Sequence, residues 1–240
     1  TLTGYMFARA GIKSINLNKV TKIEEGAFCN TSIESITIPS TVESVGPDVF
    51  DDCEKLSIVN IQDGTEPLKF ASQFYQDYYG PFHDSPLTDI YLGREINYTN
   101  YYGSSYSPSS WDAGFFATKK AVDKVNVTIS DNVQTISNYM FAKLNLQSIT
   151  IPASVTSIGS NAFIDCDYLN TIVFEDGVTP LPVKYQYASS AYWGPFYDSP
   201  LTSITLGREI EYVKKDGTKY TPGETNDGFF TSEESVESLS

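Results

Sequence analysis

A single histidine stands among the 240 residues, beside two methionines and three cysteines. One imidazole all but removes His-based acid–base chemistry and His-rich metal sites. Cys29, Cys53 and Cys166 cannot all pair within the chain, and none lies in a C-x-x-C or zinc-type spacing. They read as small buried hydrophobes. Cations are also scarce: 16 Lys+Arg against 30 Asp+Glu give a formal charge of −14 and a pI near 4.4. That balance argues against a nucleic-acid partner, which needs a basic footprint, and against docking on anionic lipid. No apolar run approaches the roughly 18 residues of a membrane helix. Nothing at the N-terminus resembles a signal peptide. No phosphate-binding loop or dinucleotide fingerprint is present. What remains is a folded composition, 40% hydrophobic and 19% charged, with 17 Tyr and 14 Phe.

Those residues recur. Segment 33–64, IESITIPSTVESVGPDVFDDCEKLSIVNIQDG, aligns with 146–177, LQSITIPASVTSIGSNAFIDCDYLNTIVFEDG, at an offset of 113. Segment 80–96, GPFHDSPLTDIYLGREI, aligns with 194–210, GPFYDSPLTSITLGREI, at 114. DAGFF at 112–116 and NDGFF at 226–230 keep that offset. Within this large unit lies a smaller one, marked by Phe7, Phe28, Phe50, Phe82, Phe116, Phe141, Phe163, Phe196 and Phe230. After each Phe comes an aliphatic triplet spaced L-x-x-I-x-I, such as Ile33, Ile36, Ile38 and Leu146, Ile149, Ile151. By the same count the fifth triplet is Val122, Val125, Val127, which places Lys124 and Asn126 on the outer side of that strand. Four units add V-x-x-I before the Phe: Val20 and Ile23, Val42 and Val45, Val133 and Ile136, Val155 and Ile158. Coils of 21–25 residues alternate with coils carrying about ten more.

This pattern predicts a solenoid. Each I-x-I has period two and reads as a short strand with one face inward. Strands that repeat in one direction must be parallel, with right-handed returns. Segments around each Phe, such as GSNAFIDC at 159–166, suit one helical turn with Ser160 as its N-cap. Gly64 and Gly177 read as turn glycines. The Phe, the V-x-x-I pair and the triplet would share one core, because a single coil cannot bury its own apolar face. The expected organisation is one array of about nine coils over 1–240, with super-repeats at about 20–116 and 133–230. The first residues already belong to a unit and TSEESVESLS stops inside a strand, so a slice of a longer array is expected.

The string L-x-x-I-x-I-P, with V-x-x-I-G-x-x-A-F-x-x-C upstream as in SVTSIGSNAFIDC, resembles the BspA-like leucine-rich repeats of Bacteroides-type surface proteins. That resemblance implies a leucine-rich-repeat solenoid: a right-handed superhelix with short parallel strands on the concave face and short helical turns or loops on the convex face. It also implies an extracellular or outer-membrane location and a part in adhesion or protein binding. The long units, such as GPFHDSPLTDIYLGREINY, lack the V-x-x-I pair and carry an aromatic insert instead.

Recognition, if it has a place, falls on those inserts. Segments 70–83, 98–111, 185–197 and 211–222 hold thirteen of the 17 tyrosines and both tryptophans. Tyr and Trp supply large contact area at low entropic cost. The candidate ligand-binding residues are Tyr78, Tyr79, Tyr101, Tyr102, Trp111, Tyr192 and Trp193, with Tyr91 from the strand face. The competing reading is that these rings only pack the insertions down. Other outward strand positions, such as Ser35, Thr37, Ser148 and Thr150, suit a hydrogen-bonded ladder. Catalysis has little support. His83-Asp84-Ser85 becomes Tyr197-Asp198-Ser199 in the second copy, so a turn role is favoured. Asp48, Asp51, Asp52 and Glu54, echoed by Asp165 and Asp167, offer carboxylates for calcium or for glycoside hydrolysis, but no EF-hand spacing is present and acidic surfaces are usually just solvated. The expected role is therefore a non-enzymatic cell-surface binding or adhesion module without cofactor or metal. Its partner would be an extracellular protein of a host matrix or neighbouring cell. The alternatives are a glycan stacked on the rings and a spacer for another domain.

Overall fold

A computed structural model of the protein describes residues 1–71, 81–82, 84–100, 102, 104–105, 114–120, 122–184, 186–188, 191–214, 216–219 and 230; for 186–188 and 191–193 it describes the backbone alone. In chain order the strands are Lys22–Ile23 (β1), Ser35–Ile38 (β2), Ser44–Val45 (β3), Ile58–Ile61 (β4), Leu68–Ala71 (β5), Asp89–Leu92 (β6), Ile96–Thr99 (β7), Asn126–Ile129 (β8) and Thr135–Ile136 (β9). They continue as Ser148–Ile151 (β10), Ser157–Ile158 (β11), Thr171–Phe174 (β12), Leu181–Lys184 (β13), Gln186–Ala188 (β14), Ala191–Trp193 (β15), Ser203–Leu206 (β16) and Ile210–Val213 (β17).

The I-x-I segments form a front sheet in parallel register, β2-β4-β6-β8 and then β10-β12-β16. Ile36, Val59, Ile90 and Val127 stand side by side along it. The two halves meet at one bridge, Val125 to Leu146. Here the sequence expectation slips by two residues. Ile90 and Leu92 pair with Val127 and Ile129, so Val127 and Ile129 are the inward pair and Asn126 and Thr128 face outward. Val122 and Lys124 precede the strand. The reason is a turn that is longer than its neighbours: eleven residues separate Phe116 from Val127, where eight separate Phe28 from Ile36.

A second parallel sheet closes the back, in two blocks, β1-β3-β5-β7 and β9-β11-β13-β17. The V-x-x-I pairs build its two-residue strands. In the long coils LKFA, INYT, LPVK and IEYV lengthen these to four residues each, so part of the extra length becomes back strand. The remaining insertions, 72–80, 100–113 and the antiparallel hairpin β14–β15, all follow a back strand and precede a Phe.

The third side carries the phenylalanines, and it is not helical: no helix occurs among the described residues. In five coils the residues two before and two after the Phe adopt left-handed φ: Tyr5 and Arg9, Gly26 and Asn30, Asp48 and Asp52, Tyr139 and Lys143, and Asn161 and Asp165. Asn, Asp and Gly tolerate that region best. A helix would direct every amide along its own axis. This alternation instead turns every second amide toward the next coil: Tyr5, Phe7 and Arg9 donate to the carbonyls of Glu25, Ala27 and Cys29, and Tyr139, Phe141 and Lys143 donate to Ser160, Ala162 and Ile164. Ser160 is thus no helix N-cap; its own amide donates to Asn138 Oδ1.

One continuous core runs through all coils. Its spine is the ladder of nine phenylalanines, each stacked on the next at 5.0–6.0 Å between centroids, from Phe7 on Phe28 to Phe196 on Phe230. Three residues after the Phe, a small polar side chain ties back to the preceding coil. Cys53 donates to the Phe28 carbonyl, Cys166 to that of Phe141 and Ser199 to that of Phe163.

Candidate functional site

The front face is mostly a ladder of small side chains. Tyr91, outward on β6, donates its hydroxyl to Asp63 Oδ1 at 2.8 Å. Hydrogen bonds from Ser130 and Tyr91 hold the Asp63 carboxyl below its usual range. Asp89 receives Thr88 and Asn126. Tyr91 is therefore engaged with its own neighbours.

The back face carries two grooves that share Lys69 and Thr99. One, of about 490 Å³, runs over β1, β3 and β5, and Tyr5 and Tyr102 line it. Tyr102 is 87% exposed. The other, of about 580 Å³, lies over Ile96–Thr99 and Thr135–Asn138 and is flanked by Lys69 and Lys184. Beneath it Tyr98 stacks on Phe115 at 5.1 Å and donates its hydroxyl to Met140 Sδ. Burial drives that phenol far above its ordinary range. Alternating apolar residues on the back strands, Leu68 and Phe70 or Ile96 and Tyr98, aim inward and leave Lys69 and Asn97 outward.

Of the eight candidate residues the structure describes the side chains of Tyr91 and Tyr102, and these two stand apart. Tyr91 belongs to the front sheet and Tyr102 to a groove of the back sheet. Tyr192 and Trp193 lie on β15, described by backbone alone, with Tyr187 opposite Tyr192. Tyr78, Tyr79, Tyr101 and Trp111 lie outside the described residues, as does His83. Asp51, Asp52 and Asp84 offer carboxylate oxygens within 4.8 Å of one another on the turns; Asp51 and Asp84 are half-buried and Asp52 is exposed. All three thiols are free, and burial raises Cys29 to about 11 and Cys166 to about 12, far from a reactive thiolate. Among the described residues no helix is long and apolar enough to cross a membrane.

Two residues that sequence reasoning passed over organise the corners between the sheets. Arg94 and Arg208, from the two GREI strings, are buried. Arg94 donates to the carbonyls of Pro39, Ser40 and Val42, and Arg208 to those of Pro152, Ala153 and Val155. Each stem crosses the coil between. A Cβ on Gly64 would stand 3.0 Å from Arg94 Cδ, and one on Gly177 3.0 Å from Arg208 Cδ. Neither glycine has positive φ. They are there to let the arginine pass and not to make a turn.

Parallel sheets on two sides of a stacked coil, with a stitched third side, define a leucine-rich-repeat solenoid. The chain belongs to the BspA type leucine-rich repeat region family, whose model matches six copies over residues 1–102 and 114–219. That membership gives it the general role of a repeat-built binding scaffold. Among solved structures it is similar to a leucine-rich repeat protein from Bacteroides ovatus, at 15% identity over 89% of this chain and 60% of that one, with a TM-score of 0.43. A leucine rich cell surface protein from Faecalibacterium prausnitzii shares 16% identity over 85% of this chain and 55% of that one, with a TM-score of 0.34. The pneumococcal vaccine antigen PcpA shares 14% over 82% and 60%, with a TM-score of 0.25. The chain thus spans less than two thirds of the length of these structures. No curated protein matches it.

Proposed function

We propose that this chain is a non-enzymatic cell-surface binding module that recognises an extracellular protein of a host or neighbouring cell. The observation that carries this reading is where the insertions leave the coil. In both large units they follow a back strand and precede a stacked Phe along the chain, and 72–80, 100–113 and the β14–β15 hairpin together hold eight tyrosines and both tryptophans. Rigid support lowers the cost of ordering aromatic side chains for contact. The decisive measurement is binding of the purified chain to immobilised extracellular-matrix proteins, set beside a glycan array. The joint variant Trp111→Ala/Trp193→Ala is expected to lose at least about tenfold in protein affinity. Full retention of binding would remove the aromatic inserts from the interface, and signals on the glycan array alone would replace the protein partner with a sugar.

A further inference from the structure

The larger groove of the back face crosses five strands. Lys69 of β5 and Lys184 of β13 line its two ends, and residues of β7, β9 and β11 lie between. At about 4.8 Å per strand that is a span of roughly 20 Å. Its volume of about 580 Å³ is that of a ligand site. The backbone around it is engaged. β7 pairs with β5, Thr99 bridges antiparallel to Ser105, and Asn100 donates to the Ser104 carbonyl. β9, β11 and β13 pair in turn. Ile96, Tyr98 and Ile136 are buried beneath, so the floor offers no exposed apolar surface. A ligand here meets polar side chains.

No Asp or Glu is among the described residues that line this groove, in a chain that carries 30 of them. The adjoining groove, by contrast, is lined by Glu24 and Glu25. Lys69 is exposed and Lys184 half-buried, and neither has a carboxylate partner among the described residues. Glu95, next to Ile96, has its carboxylate engaged by the Gln134 amide. Acids farther off are screened beyond about 10 Å at about 0.1 M salt. Within the lining, then, the sign of the molecule's charge is reversed, but by two groups only. Between the lysines, the side chains of Asn97, Thr99, Thr135 and Ser157 have no hydrogen-bond partner among the described residues, which leaves donors and acceptors for hydroxyl groups.

We propose that this groove binds an oligosaccharide with sparse uronic-acid carboxylates, two of which meet Lys69 and Lys184 while its hydroxyls bond to the side chains between. A span of five strands takes several sugar rings in a row. Two ammonium groups match two carboxylates. A densely sulfated chain would bring further anions to a molecule of net charge −14, with no cation in the groove to receive them. An acidic peptide adding as a strand would need the edge of β7, which the chain's own residues 104–105 already meet. The site calls on neither Trp111 nor Trp193, so it goes beyond the function proposed above.

The test uses the full chain and four probes: a hyaluronan tetrasaccharide, its neutral methyl ester, a heparin tetrasaccharide and an end-blocked peptide of glutamate and glycine. Calorimetry reads affinity, and amide resonances of Asn97, Thr99, Thr135, Ser157 and Lys184 report the place. The hyaluronan tetrasaccharide is expected to bind with a Kd of about 1 mM or below and to shift those resonances. Its methyl ester, and the acid on Lys69→Gln/Lys184→Gln, should each bind about tenfold more weakly, the loss of two solvent-facing ion pairs. Asn97→Ala/Thr135→Val should weaken acid and ester alike, since both keep their hydroxyls. Lys19→Gln/Lys55→Gln removes the same charge elsewhere and should change nothing, as should Trp111→Ala/Trp193→Ala. An unchanged urea midpoint shows that each variant folds. No binding of the hyaluronan tetrasaccharide at millimolar concentration would overturn the proposal, as would a loss in either control variant or none in Asn97→Ala/Thr135→Val. So would equal or tighter binding of the peptide or the heparin tetrasaccharide at the same resonances.

Discussion

The guanidinium of Arg94 donates to the carbonyl oxygen of Val42 at 2.8 Å, across 52 residues and two coil boundaries. Arg208 repeats the relationship with Val155 at 2.7 Å. In neither case is the buried cation neutralised by a carboxylate within salt-bridge distance among the described residues. Turn carbonyls, whose dipoles converge at the corner, offset the loss of hydration. Hydrogen bonds to a charged donor contribute about 1.5–3 kcal/mol each, and the acceptors would be left bare without it. Arg94→Ala is therefore expected to cost about 3–5 kcal/mol in urea unfolding. Arg94→Lys should recover little, because an ammonium lacks the planar fork that serves several carbonyls. Gly64→Ala should cost about 1–3 kcal/mol by displacing the Arg94 stem. In the double variant the two losses should fall short of their sum, since Gly64 matters only while Arg94 lies over it. Full additivity would show that the glycine serves something else.

The phenylalanine ladder predicts a gradient along the array. Phe116 is fully buried, with Phe82 and Phe141 stacked on its two faces at 5.5 and 5.8 Å. Phe7 is half-buried and stacks only on Phe28 among the described rings. Phe116→Ala is expected to cost about 3–5 kcal/mol, in the range of buried aromatic truncations. Phe7→Ala should cost less than half of that and fray one coil, because a solenoid loses only nearest-neighbour interfaces at its end. Thermal unfolding with hydrogen exchange would show which amides open. Equal losses at both positions would contradict a ladder built from neighbours.

The left-handed residues that flank five of the phenylalanines give a prediction of the opposite sign. Lys143 has φ of 60° and is exposed, and its ion pair with Asp165 is long at 4.0 Å. Such surface pairs contribute about 0–1 kcal/mol, whereas a residue with Cβ in this region carries about 1–2 kcal/mol of strain. Strain decides the outcome. Lys143→Asn should raise stability by about 0.5 kcal/mol, and Lys143→Val should lower it by about 1–2 kcal/mol, measured by the urea midpoint. The reverse order would mean that the turn relaxes out of the left-handed region.

Much of this architecture was legible because a solenoid writes each contact into the sequence many times. Nine phenylalanines, one to each coil, could only stack, and the I-x-I triplets could only pair in parallel. Where the spacing changed, the reading failed. Three extra residues between Phe116 and β8 moved the inward pair from Val125 and Val127 to Val127 and Ile129. The back sheet was missed although alternation was present in LKFA and INYT, because four-residue strands inside aromatic inserts look like loop packing. The turn conformation was missed because segments such as GSNAFIDC were read as one helical turn capped by Ser160 and not as left-handed backbone. Arg94 was invisible for another reason: an arginine in a surface-like GREI string gives no sign that carbonyls two coils away will surround it. The candidate aromatic site is only partly placed, with Tyr91 and Tyr102 on different faces.

Cys166 yields a prediction in pH. Its thiol is fully buried and donates to the Phe141 carbonyl, and desolvation raises its pKa from 9.0 to about 12. The folded state therefore keeps the proton to a higher pH than the unfolded chain does. Below about pH 9 both states hold it, and the stabilising effect of the neutral thiol is fully present. From about pH 9 to 12 the unfolded chain gives it up first, so stability falls with rising pH, by at most about 1.4 kcal/mol per pH unit for one group. Ser199 shows that a hydroxyl fits the same slot, donating to the Phe163 carbonyl at 3.1 Å. Cys166→Ser should thus fold at neutral pH with a modest loss and show a shallower alkaline decline. Cys29 and Cys53, which are also raised, supply the slope that remains. The native chain should resist iodoacetamide at Cys166 at pH 8 and become labelled there only in denaturant. Rapid native labelling of Cys166, or identical alkaline profiles for the chain and Cys166→Ser, would show that this thiol is neither sealed in the core nor tied to the neighbouring coil.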